Sequence, residues 1–139
     1  KGASTAVIGS VYVSDGATSG TWTFVPMTLH TTITDISTAA GSVVYIPLPF
    51  EGTVTSIYSC ISGAIGTADA ILTAKINTTA ITTGAITVAT AGSAAGVVDT
   101  VTPTGANSFT TGQYLTIETN GASTNTVSAA ITFYVTRTS

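Results

Sequence analysis

Asn125-Thr126-Val127-Ser128-Ala129-Ala130-Ile131-Thr132-Phe133-Tyr134-Val135-Thr136 is the stretch on which the fold assignment turns. In an extended chain Val127, Ala129, Ile131, Phe133 and Val135 fall on one side. Thr126, Ser128, Thr132, Tyr134 and Thr136 fall on the other, and only Ala130 breaks the pattern. A period of two sustained over this length predicts a strand with one face in a core and the other in water. Upstream, Tyr114 to Thr119 alternates in the same way, with Leu115 and Ile117 inward and Tyr114, Thr116 and Glu118 outward. Between the two runs stands Asn120-Gly121, whose tolerance of positive φ predicts a tight turn. The residues after it lengthen the connection beyond a two-residue loop.

Working outward, residues 68–77 place Ala68, Ala70, Leu72, Ala74 and Ile76 on one face, with Asp69, Thr73 and Lys75 on the other. Residues 84–90 predict a short strand around Ile86 and Val88. Residues 6–13 and 21–25 flank Ser14-Asp15-Gly16, a turn signal. Residues 29–37, 42–46, 54–61 and 97–101 complete the set. Pro47 and Pro49 bracket Leu48, and proline cannot donate to a ladder, so that segment is an edge strand or the exit from one. The Gly- and Ala-rich residues 91–96 have strand-like flanks and read as a loop within a domain. No stretch carries the 3.6-residue apolar period of a helix. The expectation is an all-β, antiparallel β-sandwich, jelly-roll-like, of about 8–10 short strands. Residues 1–139 make a single β-sandwich domain on the length prior, with residues 1–40 supplying either an N-terminal anchor or extra strands.

Composition narrows the function. Only 6% of the 139 residues are charged, the net charge is −3, and 31 Thr and 14 Ser stand where Lys and Glu are usual. The three cations, Lys1, Lys75 and Arg137, are dispersed, which excludes the clustered basic footprint that nucleic acid requires. Apolar runs are broken by Thr, Ser or Gly within a few positions, so no transmembrane helix is expected. Ten scattered aromatics do not form the girdles of a membrane barrel. No basic n-region followed by an apolar h-region opens the sequence, so no signal peptide is expected, and the absence of an initiator Met fits a processed or excised segment. Cys60 is alone, which excludes an intramolecular disulfide and fits a small buried hydrophobe.

Groups that could carry chemistry are few. His30 is the only imidazole, and as a catalytic base it would need a nucleophile and an acid beside it; an outer-face strand residue is the simpler reading. The carboxylates Asp15, Asp35, Glu51, Asp69, Asp99 and Glu118 are widely separated. A glycosidase would need two of them across a cleft, yet Asp15, Asp35 and Asp99 read as turn or loop residues and Glu118 as a solvent-facing strand position. One His and one Cys do not build a zinc site. Asn77-Thr78-Thr79 matches a glycosylation acceptor, a short pattern common by chance. Trp22 and Phe24 share a strand face that could stack on a sugar, although core or subunit packing is the commoner use of such a pair. No catalytic, cofactor-binding or metal-ligating residue is nominated, no cofactor is expected, and the residues of any binding surface are left unassigned.

A resemblance adds to this. Tyr45-Ile46-Pro47-Leu48-Pro49-Phe50-Glu51-Gly52-Thr53-Val54-Thr55, Ala68-Asp69-Ala70-Ile71-Leu72-Thr73, Gly92-Ser93-Ala94-Ala95-Gly96-Val97-Val98-Asp99, Thr102-Pro103-Thr104-Gly105-Ala106-Asn107 and Asn120-Gly121-Ala122-Ser123-Thr124-Asn125 share a texture. It resembles that of small tailed-bacteriophage capsid decoration and head-fibre proteins, which are Thr-, Ala- and Gly-rich β-sandwiches. The likeness runs from Tyr45 to Arg137 and rests on composition, so it carries no functional residue across. It implies a non-enzymatic virion structural protein on the capsid surface, a homotrimer bound to the major capsid protein or another virion protein. The alternative reading is a host-recognition or carbohydrate-binding fibre-tip or adhesin module, favoured by exposed aromatics clustered near Trp22, Tyr12 or Tyr114. Neither reading involves nucleic acid or membrane.

Overall fold

A computed structural model describes residues 10–14, 20–38 and 42–138. Thr, Val, Ile and Ala dominate these segments, and such residues suit a pleated, half-buried surface. The described residues form eleven strands: β1 (Ser10–Ser14), β2 (Gly20–Phe24), β3 (Met27–Ile33), β4 (Val43–Pro47), β5 (Gly52–Ile61), β6 (Ala70–Ile76), β7 (Thr79–Val88), β8 (Val98–Val101), β9 (Ser108–Phe109), β10 (Tyr114–Thr119) and β11 (Ala129–Arg137). There is no helix among them.

β1 and β2 pair with each other as a two-stranded ribbon; of the turn expected at Ser14-Asp15-Gly16, Ser14 belongs to β1 and the other two residues lie outside the described ones. Residues 6–9 of the expected first strand, and Asp15 itself, lie outside the described residues. The remaining strands build two antiparallel sheets, β4-β10-β6-β7 (sheet I) and β3-β11-β5-β8 (sheet II), with β9 also paired to β5. Setting β9 aside, the eight sandwich strands pair in a nest. First pairs with last (β3 with β11), second with second-last (β4 with β10), third with sixth (β5 with β8) and fourth with fifth (β6 with β7). A long hairpin rolled over itself gives this order, and rolling places successive pairs alternately in two facing sheets. That is the jelly roll, the architecture read from the sequence.

The alternating residues meet between the sheets. Leu72, Ile86, Leu115 and Ile117 come from sheet I, and Ile33, Val54, Ile57, Ile131, Phe133 and Val135 from sheet II, each at most 1% exposed. Each such side chain contributes about 1.5–3 kcal/mol by leaving water. Registers fix who meets whom: Phe133 stands between Leu29 of β3 and Ile57 of β5. Edge treatment follows the prolines, since β4 is the outer strand of sheet I and Pro47 ends it. Gly52 lies where β5, β9 and β11 converge; a Cβ there would stand 2.8 Å from the Thr136 carbonyl oxygen and 2.9 Å from the Phe109 ring.

Several details differ from the sequence expectation. β7 starts at Thr79, not residue 84, because Asn77 adopts φ +52° and turns β6 directly into it. β7 then bulges: Thr73 faces Ala85 while Lys75 faces Ala80, and the displaced residues find other partners. Thr82 exchanges backbone bonds with Thr104 and Gly105, and Thr83 adopts φ +57°. β9 is only two residues long, too short to show a period. β11 begins at Ala129, and Asn125 to Ser128 precede it. Finally, Asn120-Gly121 does not close a hairpin, since β10 and β11 belong to opposite sheets. Gly121 does take positive φ, +62°. The chain after it crosses the sandwich, anchored by Ser123 N–H to the Ser37 carbonyl (2.8 Å), while Ile36 N–H donates to the Val127 carbonyl (2.8 Å).

Candidate functional site

Each sheet turns one face outward, and the two faces differ. On sheet II, alternation brings Thr28, His30 and Thr32 of β3, Ala130, Thr132 and Tyr134 of β11, Tyr58 and Cys60 of β5, and Val98 and Thr100 of β8 to the outside. No charged residue stands among them. Asp99 is in register with buried Ser59, and Arg137 lies over the Phe50 ring at 5.4 Å. Tyr58, Tyr134 and Val98 remain exposed, and the two tyrosine rings lean together with centroids 5.8 Å apart. His30 is occupied by its neighbours: Nδ1 bonds with Thr132 Oγ1 and Nε2 with Thr28 Oγ1, both at 3.0 Å. It sits where the sequence placed it, a polar residue on an outer strand face.

The outer face of sheet I carries the ion pair found among the described residues, Lys75 Nζ with Glu118 Oε1, both partly exposed. β10 has β4 on one side and β6 on the other, so Thr116 has Tyr45 and Lys75 as direct cross-strand neighbours. Tyr45 meets Tyr114 edge to face, with centroids 5.6 Å apart and planes at 60°. Together Val43, Tyr45, Lys75, Asn77, Thr78, Tyr114, Thr116 and Glu118 line a depression of about 140 Å³. Thr116 points outward as alternation requires, yet it is only 3% exposed, and its hydroxyl has no hydrogen-bond partner. Glu118 keeps the solvent-facing strand position expected of it, partly exposed and paired with Lys75. Asn77 Oδ1 accepts from Tyr114 N–H (3.2 Å), which leaves its amide NH₂ as the group it can offer. An aromatic corner, a side-by-side donor and acceptor, and an unpartnered floor hydroxyl make a surface suited to a small polyhydroxylated molecule.

Other carboxylates serve their own loops. Asp35 accepts from Ser37 N–H (2.8 Å), Thr38 N–H and the Thr38 hydroxyl. The Thr38 hydroxyl, opposed by partial desolvation and aided by backbone N–H groups, holds its carboxyl below the ordinary value. Asp69 accepts from Thr90 N–H at 2.7 Å and fixes the start of the 91–96 loop. Asp99 differs from the loop position expected: it lies within β8, beside Ser59 across the ladder, and its Oδ2 is buried. No group of three or more His, Cys, Asp or Glu converges among the described residues. Cys60 is half-buried on the outer face of β5, more open than the buried position expected of it. Of the aromatics flagged for sugar contact, Tyr12 and Trp22 have side-chain surroundings outside the described residues, whereas Tyr114 gains Tyr45 as a partner. The pairing of Tyr45 with Tyr114, from residues 69 positions apart, is visible only once β4 and β10 are aligned.

No family model and no curated protein matches the sequence. Among solved structures the chain is similar to one in the cyanophage Pam1 capsid asymmetric unit, with 16% identity over 95% of this chain and 90% of that one. The TM-score is 0.43, and the jelly-roll assignment rests on strand order alone.

Proposed function

We propose that the chain is a non-enzymatic virion structural protein that decorates or projects from a phage capsid. In this reading residues 1–139 act as one β-sandwich unit, with residues 1–40 providing an anchor or added strands. It works as a homotrimer held to the major capsid protein or another virion protein. The observation that carries the reading is the outer face of sheet II, four strands wide, free of charge and bearing exposed Tyr58, Tyr134 and Val98. Apolar and aromatic groups gathered on an uncharged face mark a contact surface. A second support is the jelly-roll order, an architecture recurrent in viral capsid and lectin domains, although fold alone does not assign function.

Sedimentation at micromolar concentration tests self-association: a trimer is expected, and a stable monomer overturns that part. Cryo-EM of the particle tests the location. Screening acts on charges, with a Debye length of about 10 Å at 0.1 M salt. Occupancy on the particle is therefore expected to stay nearly constant up to about 1 M salt, and release of most copies there would mean an ionic interface.

A further inference from the structure

We propose that the depression on the outer face of sheet I is a binding subsite for one ring of a neutral saccharide. A pyranose presents a C–H face, which packs on an aromatic ring, and a rim of hydroxyls, each both donor and acceptor. The depression supplies both complements. Tyr45 and Tyr114 form an aromatic corner at 60°, and Tyr45 is 62% exposed, so its ring is open to a ligand. Lys75 and Glu118 put a donor and an acceptor side by side, the arrangement that adjacent sugar hydroxyls satisfy. Because the pair is internally neutral, it does not reward an anionic ligand as an unpaired lysine would. The Asn77 amide group adds a donor at the rim.

Thr116 is the second, independent observation. A buried hydroxyl without a partner is costly and uncommon, and this one lies at the floor of the depression, between Tyr45 and Lys75 in register. A ligand hydroxyl that reaches this floor gives it a partner. The volume, about 140 Å³, matches a single-ring subsite and not an extended cleft. The tyrosine pair of sheet II has nearly the same ring geometry, 5.8 Å and 59°, but its neighbouring polar groups His30, Thr28 and Thr132 already satisfy one another. The inference does not depend on the capsid reading, because free chain and free sugar suffice to test it.

The test titrates isotope-labelled full chain with methyl glycosides of glucose, galactose, mannose and N-acetylglucosamine, with N-acetylneuraminic acid as the anionic comparison. Saturable amide shifts are expected at Val43 to Tyr45, Lys75 to Thr78 and Tyr114 to Glu118 for at least one neutral glycoside, with a dissociation constant on the order of 1–10 mM. Tyr45→Ala is expected to abolish the shifts. Thr116→Val, which keeps the side-chain shape, is expected to weaken binding by about tenfold, the loss of one hydrogen bond, without lowering the melting temperature. Ile71→Ala, on the same face outside the depression, is expected to leave binding unchanged. Three results overturn the proposal: no shift at these amides with any neutral glycoside, tighter binding of the anionic sugar, or unchanged binding in folded Tyr45→Ala.

Discussion

Thr116 and Thr132 occupy matching points of the two sheets, each on the second strand and each facing outward. Thr116 has Tyr45 and Lys75 across its two ladders; Thr132 has His30 and Tyr58. Yet Thr116 is buried with an unpartnered hydroxyl, while Thr132 is half-buried and bonded to the imidazole. The difference lies in the reach of the neighbours. Lys75 extends along the sheet to Glu118, and its aliphatic stem covers what it passes over. His30 is short and held in place by Thr28, so it caps its neighbour with a bond and leaves it partly wet. Facing outward is a property of the strand; being wet is a property of the cross-strand pair.

The inner faces do not share this asymmetry, and they set the largest expected effects. Phe133 and Leu115 are both fully buried. Truncation should cost about 3–5 kcal/mol for Phe133→Ala and about 2–5 kcal/mol for Leu115→Ala, measured by chemical denaturation. A domain has only about 5–15 kcal/mol in total, so either change alone threatens folding. A loss under about 1 kcal/mol at either site would mean that the core is not assembled from both sheets as described.

Converting each outward threonine to valine sharpens the contrast. Valine matches threonine in shape, so the measurement isolates the hydroxyl. For Thr116→Val the buried, unsatisfied hydroxyl is removed, and stability should rise by about 1 kcal/mol. At Thr132 water replaces the lost bond to His30, and the change should stay within about 0.5 kcal/mol. Equal and unfavourable shifts at both sites would show that Thr116 has a partner after all, an ordered water being the obvious one.

How much of this was legible in the sequence follows the same division. Leu115, Ile117, Ile131 and Phe133 were placed inward by period alone, because a strand buried on one face must alternate. The same logic gave β10 its bounds and Pro47 its edge. What one strand cannot report is its partner. Asn120-Gly121 has the residues of a hairpin turn, but Ile36, Ser37 and Thr119 draw the following chain across to the other sheet: the Thr119 hydroxyl donates to the Ile36 carbonyl at 2.5 Å. The bulge at Ile81 to Gly84 depends on Thr104 and Gly105, which bond with Thr82 and Thr83 across 21 or more residues. The depression is of this kind too, built from β4, β6 and β10, and no local motif announces it. The sequence marks Tyr114 as a place where aromatics can gather, and nothing local ties Tyr45 or Thr116 to it.

The smallest expected effect is the most informative about assembly. Thr132→Ala removes an outward side chain beside Tyr58 and His30, and in a chain whose sheet II faces water it should cost about 0.5 kcal/mol. If that face is instead the contact between copies in the proposed trimer, Thr132 is half-buried in the isolated chain but fully covered in the assembly. Binding that acts on the folded state alone stabilises by mass action, so its contribution grows with protein concentration. The gap in melting temperature between Thr132→Ala and the parent is then expected to be small in dilute solution and to widen as the trimer fills. The same series on Thr116→Val should give a concentration-independent gap, since sheet I is outside that contact. A constant gap for both variants would remove sheet II from the interface, and widening for Thr116→Val alone would move the interface to sheet I, over the depression, where it would compete with any sugar.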